Sequence, residues 1–356
     1  MAPPVADYEF LSDYGYTPER ELGKGSYGVT ICATHDASGA QVAIKLLRRG
    51  ESIDVKVRRE LMHQLYPPLT HVNIARLFTV FLTPKYLALV MELCSGGDLF
   101  DFLVNAENSL PRLRTVFSQV VWAAAFMHSK GISHRDIKLE NALIAEKNSN
   151  LVKICDFGAC KNISVDSAPR SVRGSMPYIS PEIVLASSKR NDLTYKYEGE
   201  MADVWSLGVL LYVLFQKSYP FQDPNNPNNT RAVAQRIIQF NYLPFTPMVP
   251  AEVRDLCKRI FVPVAKRITI KELSEEMNRW WSLGLCEAYM PHEPSAVDPS
   301  LLRIPQPSMA MMEQILNEAQ HEGMLRRRIA AQASTDFSVS QGTFDDVVSR
   351  LGDQKM

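Results

Sequence analysis

The stretch His134-Arg135-Asp136-Ile137-Lys138-Leu139-Glu140-Asn141, followed by Asp156-Phe157-Gly158, decides how this chain is read. A short apolar strand, Leu151–Cys155, leads into the second run. Two such runs, in this order and at this spacing, do not arise by chance. Upstream stands Gly23-Lys24-Gly25-Ser26-Tyr27-Gly28. Alone, that motif fits a glycine-rich hairpin, a dinucleotide fold or a phosphate cradle. A dinucleotide fold needs a helix straight after the glycines and an acid about 20 residues on. Here Val29-Thr30-Ile31-Cys32-Ala33 follows, which is strand-forming. A strand–turn–strand folds over phosphates instead, because glycines let backbone N–H groups approach closely. The next strand carries Val42-Ala43-Ile44-Lys45. A lysine in an apolar strand is costly unless its ammonium meets an anion; an exposed edge lysine is the plain alternative. Glu60, on the amphipathic stretch Ile53–Tyr66, is placed to pair with Lys45, while Arg58 and Arg59 are expected to face solvent.

Taken together, the four motifs resemble the signature set of the eukaryotic protein kinases over roughly residues 17–283. The resemblance implies an α+β, bilobal kinase fold. Residues 1–16 are an N-terminal extension, 17–93 a strand-rich N-lobe with one helix, and 94–283 a mainly helical C-lobe. The implied cofactors are ATP and Mg²⁺. Phosphoryl transfer asks the protein for positioning and charge neutralisation rather than covalent chemistry. By resemblance, Asp136 receives the substrate hydroxyl and Lys138 stabilises the transferring group, as in Ser/Thr kinases. Asn141 and Asp156 supply hard oxygens for Mg²⁺. Lys45 holds the α- and β-phosphates and Glu60 holds Lys45. Nucleotide contacts fall to Leu22, Gly23, Lys24, Gly25, Ser26, Tyr27, Gly28, Val29, Thr30 and Ala43. Met91 backs the adenine pocket, and Glu92 and Cys94 offer it backbone hydrogen bonds. Thr30 departs from the valine frequent at its position.

Composition agrees with this reading. The 356 residues exceed what one hydrophobic core serves, which suggests two lobes. Lys+Arg and Asp+Glu both total 39, so the net charge is zero; no general nucleic-acid binder or polybasic membrane protein is indicated. The run Val204–Phe215 falls short of the roughly 18 apolar residues of a membrane span and reads as a buried helix. The N-terminus lacks the apolar core of a signal peptide. Six scattered cysteines form no CxxC pair, so disulfides are not expected and a cytoplasmic or nuclear location is. Strand-like runs lie at Gly28–Ala33, Gln41–Leu47 and Tyr86–Leu93. Helical periodicity marks Leu110–Ser129, Met201–Gln216, Thr230–Phe240 and Ala251–Phe261.

Further positions follow the resemblance. Ser180-Pro181-Glu182 replaces the usual Ala-Pro-Glu, and Glu182 is expected to pair with Arg267. Asp203 should anchor the catalytic-loop backbone, with His134 and Phe157 stacked between the lobes. The activation segment spans 156–182. Ser171, with Ser167 second, is the expected phosphosite, and Arg135 the cation that receives the phosphate; Ser175 should contact the Asp136 region. Asp98 and Glu140 occupy positions that read an arginine three residues before the target; Asp98 also suits a helix N-cap. Cys155 adjoins Asp156 and is a candidate for electrophiles.

Several stretches are closer still to one kinase group: RRGESIDVKVRREL, LTPKYLALVMELCSGGDLF, SHRDIKLENALI, LVKICDFGACK and YPFQDPNNPNNTRAVAQRI. They resemble the plant and algal sucrose-non-fermenting-related kinases of subfamily 2, which respond to osmotic stress and abscisic acid. Residues 284–356 read as that group's C-terminal regulatory tail. Within it, Ser308 caps a helix at about 308–320 with Met309, Met312, Leu316 and Ala319 on one face. The resemblance implies that this helix packs on the Ile53–Tyr66 helix and holds Glu60; a tail helix with no regulatory role is the alternative. The tail lacks the acidic run of higher-plant members, so stress or nutrient signalling is expected rather than abscisic-acid dependence. Residues 187–200 read as an insertion, and no DxDxDG calcium loop is present. Implied partners are protein substrates, an upstream activating kinase and an opposing phosphatase, around a monomer. The rival reading is a catalytically silent kinase-fold scaffold, which the intact Lys45, Asp136 and Asp156 argue against.

Overall fold

In the computed structural model the described residues are 5–25, 28–50, 53, 55–65, 69–105, 108–156, 161–162, 176–188, 198–224, 226, 229–288 and 307–320. Five antiparallel strands open the fold: β1 (Tyr16–Gly25), β2 (Gly28–His35), β3 (Ala40–Arg48), β4 (Leu77–Leu82) and β5 (Tyr86–Glu92). Their order is β1-β2-β3-β5-β4. Helix α1 (Val55–Leu65) links β3 to β4. β1 and β4 carry weak period-two patterns and were not legible as strands. Side chains alternate across a strand, and β3 splits accordingly. Val42, Ile44 and Leu46 join a core on one face, and Leu47 joins a second core that includes Leu61 and Leu65 of α1.

Helices α2 (Leu99–Asn105), α3 (Leu110–Ser129), α4 (Pro181–Ser188), α5 (Gly199–Gln216), α6 (Thr230–Ile238), α7 (Ala251–Ile260) and α8 (Ile270–Ser282) build the rest. Short strand pairs join β6 (Ile132–Ser133) to β9 (Lys161–Asn162), and β7 (Ala142–Ile144) to β8 (Val152–Ile154). The apolar run Val204–Phe215 lies inside α5, which is buried on all sides around Trp205. That ring stacks on Phe221 at 5.2 Å and meets Phe261 edge-on at 5.1 Å. Gly208 lets α5 approach Ile260, for any Cβ there would clash with it. No described helix is long and apolar enough to cross a membrane.

Two segments near the ends of the chain join the strand-rich half. Residues Val5–Tyr14 form a 3₁₀ helix with Leu11 fully buried. Residues 309–320 form α9. Ser308 caps it, its Oγ accepting from the Met311 N–H at 3.2 Å. Met312, Leu316 and Ala319 are buried with Leu61 and Leu65. Met309 shares that face by spacing but is not buried with the others: it stands 52% exposed, one turn before Met312. Arg58 also departs from expectation. It does not face open solvent but donates to Asn317 Oδ1 at 2.6 Å and lies 3.8 Å from Glu313. The α9 helix supplies those acceptors: it packs on α1 as the resemblance implies, and Arg58 lies on the side of α1 that it covers.

Candidate active site

The loop from β6 to β7 carries the first motif. Its backbone is held from beneath by Asp203 on α5, which is fully buried. Asp203 accepts from the His134 N–H at 2.7 Å and the Arg135 N–H at 2.6 Å, and its Oδ2 lies 2.8 Å from His128 Nε2. Arg135 takes φ +69°, a left-handed conformation that side chains rarely adopt outside over-determined sites. The two amide anchors hold that turn. Asp136 is thereby placed with its Oδ2 2.9 Å from Lys138 Nζ and 3.0 Å from Asn141 Nδ2. The Asn141 amide also donates to the Asp136 carbonyl at 2.8 Å. With its nitrogen so committed, Asn141 leaves its oxygen as the group a cation would meet.

Asp156 follows β8 at φ +61°. Its Oδ1 lies 2.9 Å from Lys45 Nζ, which β3 projects from the strand face opposite Val42 and Ile44. Thus Lys45, Asp156, Asp136, Lys138 and Asn141 supply two cations, two carboxylates and an amide. The Glu60 side chain lies outside the described residues, as do Ser26, Tyr27, Phe157, Ser167, Ser171 and Ser175.

Gly25 pairs with Gly28 at the mouth of the glycine turn. A Cβ on Gly28 would collide with the Leu46 carbonyl, so β2 lies close on β3 only because position 28 has none. Gly23 faces Thr30 across the hairpin, and Thr30 faces Lys45. Val29 is a correction: its side chain joins Ile31, Val42 and Ile44 on the outer face, so Thr30 is the side chain this strand turns toward the lysine. Leu22 is half-buried, Lys24 exposed, and Ala43 buried beside Met91 on β5.

The Glu92 N–H is taken by the Arg76 carbonyl at 2.8 Å. Beyond Cys94, Ser95 and Gly96 donate to the carbonyls of Ala145 and Ile144. Burial, reinforced by Glu92, pushes the Cys94 thiol up to about 12. Burial raises Cys155 further, with Asp156 adding to it. The thiolate is the reactive form, so this shift disfavours reaction of Cys155 with electrophiles near neutral pH. Asp98 is the N-cap of α2, its Oδ1 accepting from the Asp101 N–H at 2.8 Å, and Glu140 is exposed. The Glu182–Arg267 pair is made, buried and bidentate at 2.7 and 3.0 Å.

Lys153 was missed by sequence reasoning. Its ammonium, on β8, is buried 3.0 Å from Glu92 and donates to the Val72 carbonyl at 2.8 Å. The rule that singled out Lys45, a lysine inside a short apolar strand, applies equally here.

The protein kinase domain family matches residues 16–278. This chain belongs to that family. The kinase is 41% identical over 261 residues to serine/threonine-protein kinase SAPK9 of Oryza sativa subsp. japonica, covering 72% of this chain and 70% of the relative. It is 42% identical over 271 residues to serine/threonine-protein kinase SRK2G of Arabidopsis thaliana, covering 75% and 73%. A moss relative, serine/threonine-protein kinase SRK2A of Physcomitrium patens, is 40% identical over 271 residues, covering 75% and 74%. These relatives place the kinase with the sucrose-non-fermenting-related group of subfamily 2. Protein kinases use ATP and Mg²⁺, and the donor set fits both. Mg²⁺ takes few protein oxygens and keeps phosphates and water, which Asn141 and Asp156 allow. At Gly28 the absence of a side chain lets the backbone of β2 lie against Leu46 of β3, the close approach that a glycine-rich nucleotide hairpin uses.

Proposed function

We propose that this kinase transfers the γ-phosphoryl group of ATP to serine and threonine hydroxyls of protein substrates in stress or nutrient signalling. The observation that carries the reading is the Asp136–Lys138–Asn141 cluster, closed to 2.9 and 3.0 Å and held by Asp203. Asp136 accepts a hydrogen bond from the incoming hydroxyl and aims it in line. Lys138 neutralises charge on the transferring group, and Lys45 steadies the phosphates. Bound Mg²⁺ supplies further charge neutralisation. The rival, a silent scaffold, does not require a closed catalytic cluster.

Asp98 and Glu140 favour substrates with an arginine three residues before the target, by carboxylate–guanidinium pairing. Capping α2 uses one Asp98 oxygen, so the two roles are compatible. Phosphate on Ser171 pairs with Arg135 and orders the activation segment; Ser167 is the second candidate. An upstream kinase or the enzyme itself adds it and a phosphatase removes it. Packing of α9 on α1 holds that helix, and with it Glu60, toward Lys45. The protein works as a monomer in the cytoplasm or nucleus.

Purified wild type and Asp136→Asn are compared for transfer from MgATP to an Arg-x-x-Ser peptide, with phosphate on Ser171 mapped. Transfer by wild type alone supports the reading. Absence of transfer even after treatment with an upstream kinase, across peptides of varied sequence, returns the scaffold. Ser171→Ala lowers activity if the switch operates there.

A further inference from the structure

The outer face of the five-stranded sheet is as apolar as the inner one. Val29, Ile31 and Ala33 of β2, Val42, Ile44 and Leu46 of β3, and Ala88 and Val90 of β5 share one core there. An apolar sheet face requires a cover. The cover is residues 5–14, which lie outside the family match beginning at residue 16. Leu11 enters the core with no exposed surface. Phe10 stacks on Tyr86 at 5.7 Å and Tyr14 on Phe81 at 4.8 Å. Gly15, at φ +82°, turns the chain back into β1, and its carbonyl accepts from the Asp36 N–H at 2.9 Å.

The cover meets both strands of the glycine hairpin. Tyr8 Oη donates to Glu21 Oε2 at 3.4 Å, and Glu21 stands just before Leu22-Gly23. Val29, directly after Gly28, packs in the same core as Leu11. The hairpin that folds over the phosphates is therefore anchored from its back on either side of the turn. Ordering a loop on binding costs affinity, and holding it in advance removes part of that cost.

We propose that residues 5–14 are a positioning strap that pre-orders the glycine hairpin and thereby sets the affinity for MgATP. The proposal rests on the ATP-binding reading of the site. The strap touches none of Asp136, Lys138 or Asn141, so its loss acts on KM for MgATP and spares kcat.

The test is calorimetric binding of MgATP, without peptide, alongside kinetics, for wild type, Leu11→Ala, Leu11→Met and Tyr8→Phe. The expected result is a dissociation constant and KM for MgATP raised about fivefold in Leu11→Ala, with kcat and peptide KM within about twofold. Leu11→Met, which keeps the volume, restores the wild-type value. Tyr8→Phe, which deletes one hydroxyl and cannot be expected to unfold the lobe, raises it about twofold. Should Leu11→Ala fail to fold, Leu11→Val and Tyr8→Phe decide by the same criterion. An unchanged MgATP dissociation constant in the folded variants overturns the strap, even where the melting temperature falls, because cover alone predicts that. Wild type that binds no nucleotide removes the ATP reading itself, and the strap with it.

Discussion

Lys153 and Glu92 form a buried ion pair at 3.0 Å that ties β8, the strand leading to Asp156, to the last residue of β5. The second Glu92 oxygen accepts from the Arg76 N–H at 3.2 Å, and Lys153 also reaches the Val72 carbonyl. The side chains are only 9% and 13% exposed, so neither charge is well solvated once its partner is gone. Removing one member of such a pair costs about 3–5 kcal/mol. Lys153→Met is expected to lower the thermal midpoint markedly. Adding Glu92→Gln, which keeps an acceptor for Arg76, should recover much of the loss. Calorimetric melting of the two single variants and the double checks this; additive losses count against coupling.

Asp203 is expected to act on catalysis only through the backbone it holds. Its carboxylate receives the amides of His134 and Arg135, and the left-handed turn at Arg135 depends on them. Asp203→Ala is expected to lower kcat by about 10²-fold, since small misplacements at the reacting centre are amplified. KM for MgATP should change far less. Steady-state kinetics on folded protein separates the two, and a kcat within threefold of wild type refutes the positioning role.

The α9 contact is testable through Leu316, which is 1% exposed in the core shared with Leu61 and Leu65. Leu316→Ala should cost about 2–5 kcal/mol of α9 docking. If α1 is held by α9, transfer activity falls with it, and hydrogen exchange on 55–65 and 309–320 rises together. The half-exposed Arg58–Glu313 pair contributes only about 0–1 kcal/mol, so Arg58→Ala is the milder control.

Alkaline stability follows from buried acids. Burial pushes Cys94, Tyr16 and Tyr212 up to about 12 and raises Cys155 and Cys257 as well, against ordinary values of 9.0 for the thiols and 10.0 for the phenols. Between those limits the unfolded chain sheds protons that the folded protein retains. Stability is therefore full below about pH 9 and declines steadily toward about pH 12. Denaturant midpoints across that range measure it; a flat profile contradicts the burial. In native protein at pH 8, Cys94 and Cys155 should resist alkylation that denaturant then permits.

Much of the candidate site was legible in sequence because its chemistry is local. Asp136, Lys138 and Asn141 lie within one short loop, though it is Asp203 that holds the loop in the turn that gathers them. Lys45 was legible as a charge that needs a partner, expected in Glu60, and Asp156 as a ligand for Mg²⁺; it took the fold to set the two 2.9 Å apart. The apolar period of α5 and the Ser308 cap likewise reside in short runs of residues. What only the tertiary structure decided are contacts between segments distant in sequence. Leu11 on the outer sheet face, Arg58 on α9 and Lys153 on Glu92 each depend on what is brought opposite, which no local period encodes. Val29 and Thr30 show the boundary. The sequence determined that they alternate on one strand, but only the folded sheet decided which of its two apolar faces holds the lysine and which holds the strap.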